Sequence, residues 1–209
     1  MNKISFLTEP QFQILVWLSY RIAATFAFGL PLILLIWAKL ANISSIERLL
    51  SIYWKVSSLY AINLLFLSGD SQLGQLISFI SPILMVSSIW FWFDLNEEID
   101  EMPVYRAIAL TTRIWRWTIS FWSLLNTGLH LFSWRCLNSI NENYCDTWRE
   151  IPFNLFITTR TIIKFVLDGN WSTGFATFFA YLSLVLYLIG LLQWLIIQLP
   201  RNGRCAGKF

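Results

Sequence analysis

The chain has 209 residues, of which 56% are hydrophobic and 13% are charged, and its formal net charge is +3. The charged fraction is about half of what an average soluble domain carries, and the apolar residues come in long blocks. Such a chain could not cover a water-soluble globule, which excludes a soluble enzyme, a disordered tail and a nucleic-acid binder. The composition indicates a polytopic integral membrane protein in contact with the lipid bilayer.

Five apolar stretches reach the roughly 20 residues that a helix needs to cross the hydrocarbon layer. They cover residues 22–40, 49–67, 74–93, 114–134 and 173–199. A shorter apolar segment, residues 11–20, lies at the interface or lengthens the first helix. Pro31 and Pro82 could kink the first and third spans. We predict an all-α fold, with residues 1–209 forming a single membrane domain, a helical bundle of about five transmembrane helices.

Residues 153–168 form a shorter apolar segment that contains Arg160 and Lys164. Its apolar residues recur at helical spacing, and its polar residues fall mostly on another face. This pattern predicts an amphipathic helix in the membrane surface. A sixth span is the competing interpretation.

The distribution of Lys and Arg helps to distinguish the five-span from the six-span topology, because basic residues are enriched on the cytoplasmic side. With five spans, one side holds eight basic residues (Lys39, Arg48, Arg106, Arg113, Arg116, Arg201, Arg204 and Lys208). The other side holds five (Lys3, Arg135, Arg149, Arg160 and Lys164), whereas six spans would give six against five. We therefore favour five spans, with the N-terminus outside and the C-terminus in the cytoplasm.

Two of the three cysteines, Cys136 and Cys145, lie in a polar loop that this topology places outside. That side is oxidising in bacteria, so a disulfide between them is predicted; two unrelated thiols are the alternative. Cys205 is predicted to be a free cytoplasmic thiol. His130 is the only histidine and no Cys-x-x-Cys pair occurs, so we expect no metal site.

Lys55 is the strongest candidate for a functional polar group inside a span, because it lies about two turns into the second one. It could contact an anion, a pigment propionate or a lipid headgroup. The alternative is that Lys55 snorkels to the cytoplasmic interface and pairs with Asp94 or Glu97. Asn63 in the same span and Asn126 in the fourth are further polar candidates.

His130, one turn after Asn126, could ligate a chlorophyll magnesium or one face of a haem, although a buried structural or interfacial histidine is the commoner role. No other cofactor is evident. Arg116 stands between two tryptophans and is predicted to anchor the helix at the membrane interface. The acidic run over residues 94–101 is expected to be a solvated helix end, stopped by Pro103 and balanced by Arg106 and Arg113. Binding of cations or of a basic partner surface is the alternative.

Four longer strings resemble an uncharacterised family of cyanobacterial integral membrane proteins, a family known only as a domain of unknown function. They are GLPLILLIW at 29–37, RLLSIYWKV at 48–56, SPILMVSSIWFWFDLNEE at 81–98 and GLLQWLIIQLPRNGR at 190–204. The resemblance implies a bacterial plasma or thylakoid membrane and assigns no functional residue.

No phosphate-binding loop or hydrolase motif occurs in the sequence, so we expect a protein that is not an enzyme. The first hypothesis is an accessory or assembly factor of a larger photosynthetic membrane complex, with other membrane subunits as partners. The alternative is a small-solute or ion transporter that uses Lys55, Asn63, Asn126 and Gln193.

Overall fold

The computed structural model describes residues 9–68, 72–103, 105–132 and 172–198, together with residues 154, 157, 160, 161 and 164. Within them all regular structure is helical, which confirms the all-α prediction. The helices are α1 (Glu9–Ile22), α2 (Leu30–Leu40), α3 (Ser44–Ser68), α4 (Gln72–Trp90), α5 (Phe93–Glu101), α6 (Ala107–Phe132) and α7 (Thr173–Gln193). Two π-helical segments, Ala23–Gly29 and Trp194–Gln198, join α1 to α2 and extend α7.

Four helical segments in the described part of the chain are long and apolar enough to cross a membrane. They are Ile14–Leu40, Ser44–Leu67, Leu73–Trp90 and Thr173–Gln193. Each contains or overlaps a predicted span, so the helical membrane bundle is confirmed. The apolar segment 11–20 lengthens the first helix, since α1 runs without a break into the π segment.

The fourth predicted span, residues 114–134, falls mostly in α6 and is not among these four segments. At 26 residues, α6 is long enough to cross. It is less apolar than the four segments above, because charged and amide side chains are distributed along its length. The crossing by α6 therefore stays a prediction.

Other predictions fall partly or wholly outside the described residues. Of the predicted surface helix 153–168, the five described residues are helical with exposed side chains, and Thr161 Oγ1 donates to the Ile157 carbonyl at 3.0 Å. Its position in the membrane surface stays a prediction. The cysteines Cys136, Cys145 and Cys205 lie outside the described residues, and so does the predicted disulfide.

The first long helix changes register just before Pro31. Because proline has no amide N–H, Pro31 cannot donate to the Ala27 carbonyl, its α-helical partner. The Leu30 amide donates to the Thr25 carbonyl, five residues back, instead of to Phe26. Side chains of two other helices take over both carbonyls: Tyr53 Oη donates to Ala27 O at 2.9 Å, and Trp115 Nε1 donates to Phe26 O at 2.8 Å.

Ring contacts set the register between α3 and α6. The Tyr53 and Trp115 rings meet edge to face at 4.9 Å, and seven residues later Tyr60 and Trp122 meet at 5.9 Å. The equal spacing shows that α3 and α6 run in the same direction. Between them α4 runs the other way, and Gly74 at its start lets the backbones approach, since a Cβ there would lie 3.2 Å from the Leu67 amide nitrogen.

The last helix, α7, packs at the periphery, mainly on α3. Its buried residues are Ala176 and Ala180, and the Tyr181 ring meets Phe66 at 5.0 Å. Further along, Trp194 lies 5.7 Å from Trp92, directly before α5. The α2–α3 turn, α5 and Trp194 therefore share one end of the bundle, the α5 end; α6 ends and α7 begins at the opposite, far end.

Candidate functional site

Lys55 lies on the outer surface of the bundle, where its side chain is exposed. By the α3–α6 register it stands level with Trp117, which is 67% exposed and whose ring lies 5.2 Å from that of Trp90. Exposed tryptophans of this kind mark the membrane interface. This position favours the snorkelling interpretation over a role inside the bundle.

Asn63 and Asn126 are inside the bundle, each at most 2% exposed. Asn63 Nδ2 donates to Ser78 Oγ at 2.6 Å, which joins α3 to α4. Asn126 Oδ1 accepts from Ser19 Oγ at 2.8 Å, which joins α6 to α1. The two amides thus join two pairs of helices, α3 with α4 and α6 with α1, through hydrogen bonds between neutral side chains.

His130 is 5% exposed in the last turn of α6. Burial of this kind is compatible with a structural histidine, and the pigment-ligand role of His130 stays a prediction.

Asn126 and His130 belong to a larger arrangement that was not predicted from the sequence, a buried polar seam between α4 and α6. All of its members are at most 9% exposed. The seam consists of Gln75, Ser78, Ser81 and Ser88 of α4 and of Thr112, Arg116, Ser120, Ser123, Asn126 and His130 of α6. The intervals of three and four residues along α6 place its members on one helix face, and this periodicity was visible in the sequence.

Direct contacts show that the polar seam joins the two helices. Trp90 Nε1 donates to Ser120 Oγ at 2.8 Å, and the Arg116 guanidinium carbon lies 5.2 Å from the centre of the Trp90 ring. Several seam hydroxyls donate to carbonyls of their own helix, for example Thr112 to Ile108. The polar groups of the seam are therefore satisfied partly by hydrogen bonds within their own helix and partly by hydrogen bonds to the other helix.

Among the described residues, Arg116 Nε of the polar seam is fully buried and makes no hydrogen bond. Five more such atoms lie in and beside the seam near the Tyr60–Trp122 contact. They are Asn63 Oδ1, Ser81 Oγ, Trp122 Nε1, Ser123 Oγ and Asn126 Nδ2. An unsatisfied buried polar group costs free energy, and in a bilayer no surrounding solvent can relieve it.

At the α5 end, an arginine clamp made of Arg48, Arg113 and Arg116 holds α5. Arg116, 2% exposed, donates from Nη1 to Asn96 Oδ1 at 2.6 Å and from Nη2 to Asp100 Oδ1 at 2.5 Å. The structure thus corrects the prediction for Arg116, which is a buried partner of α5 and not an interface anchor.

The other two arginines of the clamp bind the acidic helix from its sides. Arg113 Nη2 donates to the carbonyls of Ile99, Asp100 and Met102 at the end of α5, at 2.7–2.9 Å. Arg48 pairs with Glu98 at 3.2 Å. The acidic run is therefore a helix that ends at Glu101, shortly before Pro103. It buries Leu95 and Ile99 against the bundle, while Glu97, Asp100 and Glu101 are exposed, as expected of a solvated helix end.

Comparison with known proteins gives a family and no activity. No curated protein and no solved structure matches the chain. Residues 13–207 match the family described as protein of unknown function DUF3177, a match that covers nearly the whole bundle, including the polar seam and the arginine clamp. The chain therefore belongs to this family of unknown function.

Proposed function

We propose that the protein is a non-enzymatic accessory or assembly factor of a larger membrane complex. The observation that carries the proposal is the packing of α7, which is buried only at Ala176 and Ala180. The opposite face of α7, called here the outer face, consists of Phe178, Leu182, Val185 and Ile189, which are 44–60% exposed. A helix whose only buried residues are two alanines leaves a large apolar face for lipid or for another membrane protein.

The placement of the polar side chains also supports this proposal over transport. Of the four groups expected to line a transport path, Lys55 and Gln193 are exposed on the outside of the bundle. Asn63 and Asn126 bond to neighbouring helices, as interhelical contacts do in membrane bundles. The resemblance to a cyanobacterial family makes photosynthetic complexes the first partners to test.

The test is purification of the tagged chain in a mild detergent, followed by native electrophoresis and identification of co-purifying subunits. We expect an assembly larger than the chain itself. Alanine substitutions at Phe178, Val185 and Ile189 should release the partner. Matched substitutions of Ile33 and Ile36 on α2, which are 61% and 52% exposed, should retain it. A chain that runs alone under all growth conditions would overturn the proposal.

A second candidate, transport of a small solute or ion, is favoured by one observation, the unpartnered polar atoms of the seam. The discriminating variant is Asn126→Leu, because Asn126 is buried in the seam whereas Lys55 is outside it. In proteoliposomes loaded with potassium, sodium, urea or glycerol, transport through the seam predicts flux that Asn126→Leu abolishes and Lys55→Leu retains. No flux in the parent protein counts against this function.

A further inference from the structure

Three helices bring the five unpartnered polar atoms to one level of the bundle. Because α3 and α6 run in the same direction, Asn63 and Asn126 both lie about one turn beyond the Tyr60–Trp122 contact. Ser123 follows Trp122 directly. On α4, which runs the other way, Ser78 is the hydrogen-bond partner of Asn63. Ser81 lies one turn from Ser78, back towards the level of the Tyr60–Trp122 contact. All five atoms therefore lie within about two turns, or about 11 Å, along the bundle axis.

The chemistry of these atoms is mixed and neutral. The Trp122 indole N–H and the Asn126 amide N–H₂ only donate, the Asn63 amide oxygen only accepts, and the two serine hydroxyls do both. No carboxylate, ammonium or guanidinium is among the five. A ligand that both donates and accepts hydrogen bonds and is small enough for a packed helical interface would satisfy them without a counter-charge.

Water meets these requirements, since a buried water makes about three hydrogen bonds to polar groups that are otherwise unsatisfied. We propose that the polar seam contains a binding site for ordered water where α3, α4 and α6 meet, lined by Asn63, Ser81, Trp122, Ser123 and Asn126. Bound water would join these five polar groups into a connected network inside the bundle.

The first test measures whether removal of a seam hydroxyl lowers or raises the melting temperature. A dry, unpartnered hydroxyl destabilises the fold, so its removal would leave the melting temperature unchanged or raise it. A hydrated hydroxyl contributes a hydrogen bond, so Ser81→Ala and Ser123→Ala should each lower the melting temperature, by about 2–4 °C. If the hydroxyls share water, the double variant should lose less than the sum of the single losses.

A matched control comes from the same helix: Ser87 is exposed and its hydroxyl donates to the Ile83 carbonyl at 2.9 Å. Ser87→Ala should change the melting temperature little. Losses from Ser81→Ala and Ser123→Ala beyond that control support the water site. Equal or higher melting temperatures would overturn it.

A second measurement observes water directly. In water-edited solid-state NMR of the ¹⁵N-labelled full chain in lipid, the Trp122 indole should receive magnetisation from water despite its burial. Trp122→Phe identifies its signal. Trp115 is the reference, because it is buried in the same helix and its indole donates to the Phe26 carbonyl. Transfer to Trp122 no greater than to Trp115 would overturn the proposal.

Discussion

Arg116 shows how one side chain can hold a surface helix on a membrane bundle. Its planar fork meets an amide oxygen of Asn96 and a carboxylate oxygen of Asp100, while its face lies over Trp90. A lysine would have a single point of attachment in the same place. The bonds to Arg116 fix α5 across the ends of α4 and α6.

Loss of this contact should destabilise the α5 end. We expect Arg116→Met to lower the free energy of unfolding by about 1–3 kcal/mol, because Asn96 and Asp100 lose charge-assisted hydrogen bonds. Arg116→Lys should fall between this variant and the parent. The change can be followed by intrinsic fluorescence during heating, since the chain has 12 tryptophans. Arg106→Met, at an exposed arginine, is the control, and an equal loss from it would contradict this role.

The face of α6 explains why sequence reasoning misplaced Arg116. Trp115 is fully buried, whereas Trp117 is 67% exposed, so the three consecutive residues point in different directions. In a soluble protein the inward face of a helix is mainly apolar, but the buried face of α6 carries polar residues beside Trp115, Ile119 and Trp122. Phe121 and Leu124 on the other face are more than 60% exposed. Residue type and depth alone could not determine which face is inside.

The π segment before Pro31 is an element whose stability depends on distant residues. A kink near Pro31 could be expected from the sequence. Its partners could not, because Tyr53 and Trp115 are separated from their acceptors by 26 and 89 positions. Both contacts require the finished packing of α3 and α6 around the first helix.

Removal of the Tyr53 hydroxyl should leave the Ala27 carbonyl without that donor and lower the free energy of unfolding by about 1–3 kcal/mol. Pro31→Ala restores an amide N–H four residues after Ala27, so it should recover part of the loss in Tyr53→Phe. Thermal melting of the single and double variants measures this. Tyr105→Phe, at a tyrosine that is 87% exposed, is the control. Strictly additive effects of the two substitutions would rule out the shared carbonyl.

At the scale of the whole molecule, the spans were predictable because hydropathy is a local property of the chain. The number of crossings depends on how the helices are placed together. Since α6 ends and α7 begins at the far end, only an even number of crossings fits between Phe132 and Thr173. This placement favours a surface helix over a single sixth span at residues 153–168, and thus the five-span count.

The predicted orientation can be tested with single cysteines in a background where Cys136, Cys145 and Cys205 are serine. Asn42→Cys, in the α2–α3 turn, should react with an impermeant maleimide only from the cytoplasmic side. Thr173→Cys, at the start of α7, should react in intact cells. The physical reason is the excess of basic residues at the α5 end. The opposite pattern would reverse the orientation, and labelling of both from one side would contradict the bundle.

The polarity of α6 has a consequence for biosynthesis. A segment that carries Arg116, Asn126 and His130 is a poor substrate for entry into lipid by itself, because each polar group must leave water unpaired. Two residues whose side chains donate hydrogen bonds to α6, Trp90 and Ser19, belong to helices that the ribosome synthesises earlier. We expect α6 alone to insert poorly in a translocon assay and to insert well when the preceding helices are present. The order of synthesis would then assist insertion, because the earlier helices supply hydrogen-bond partners for the polar groups of α6.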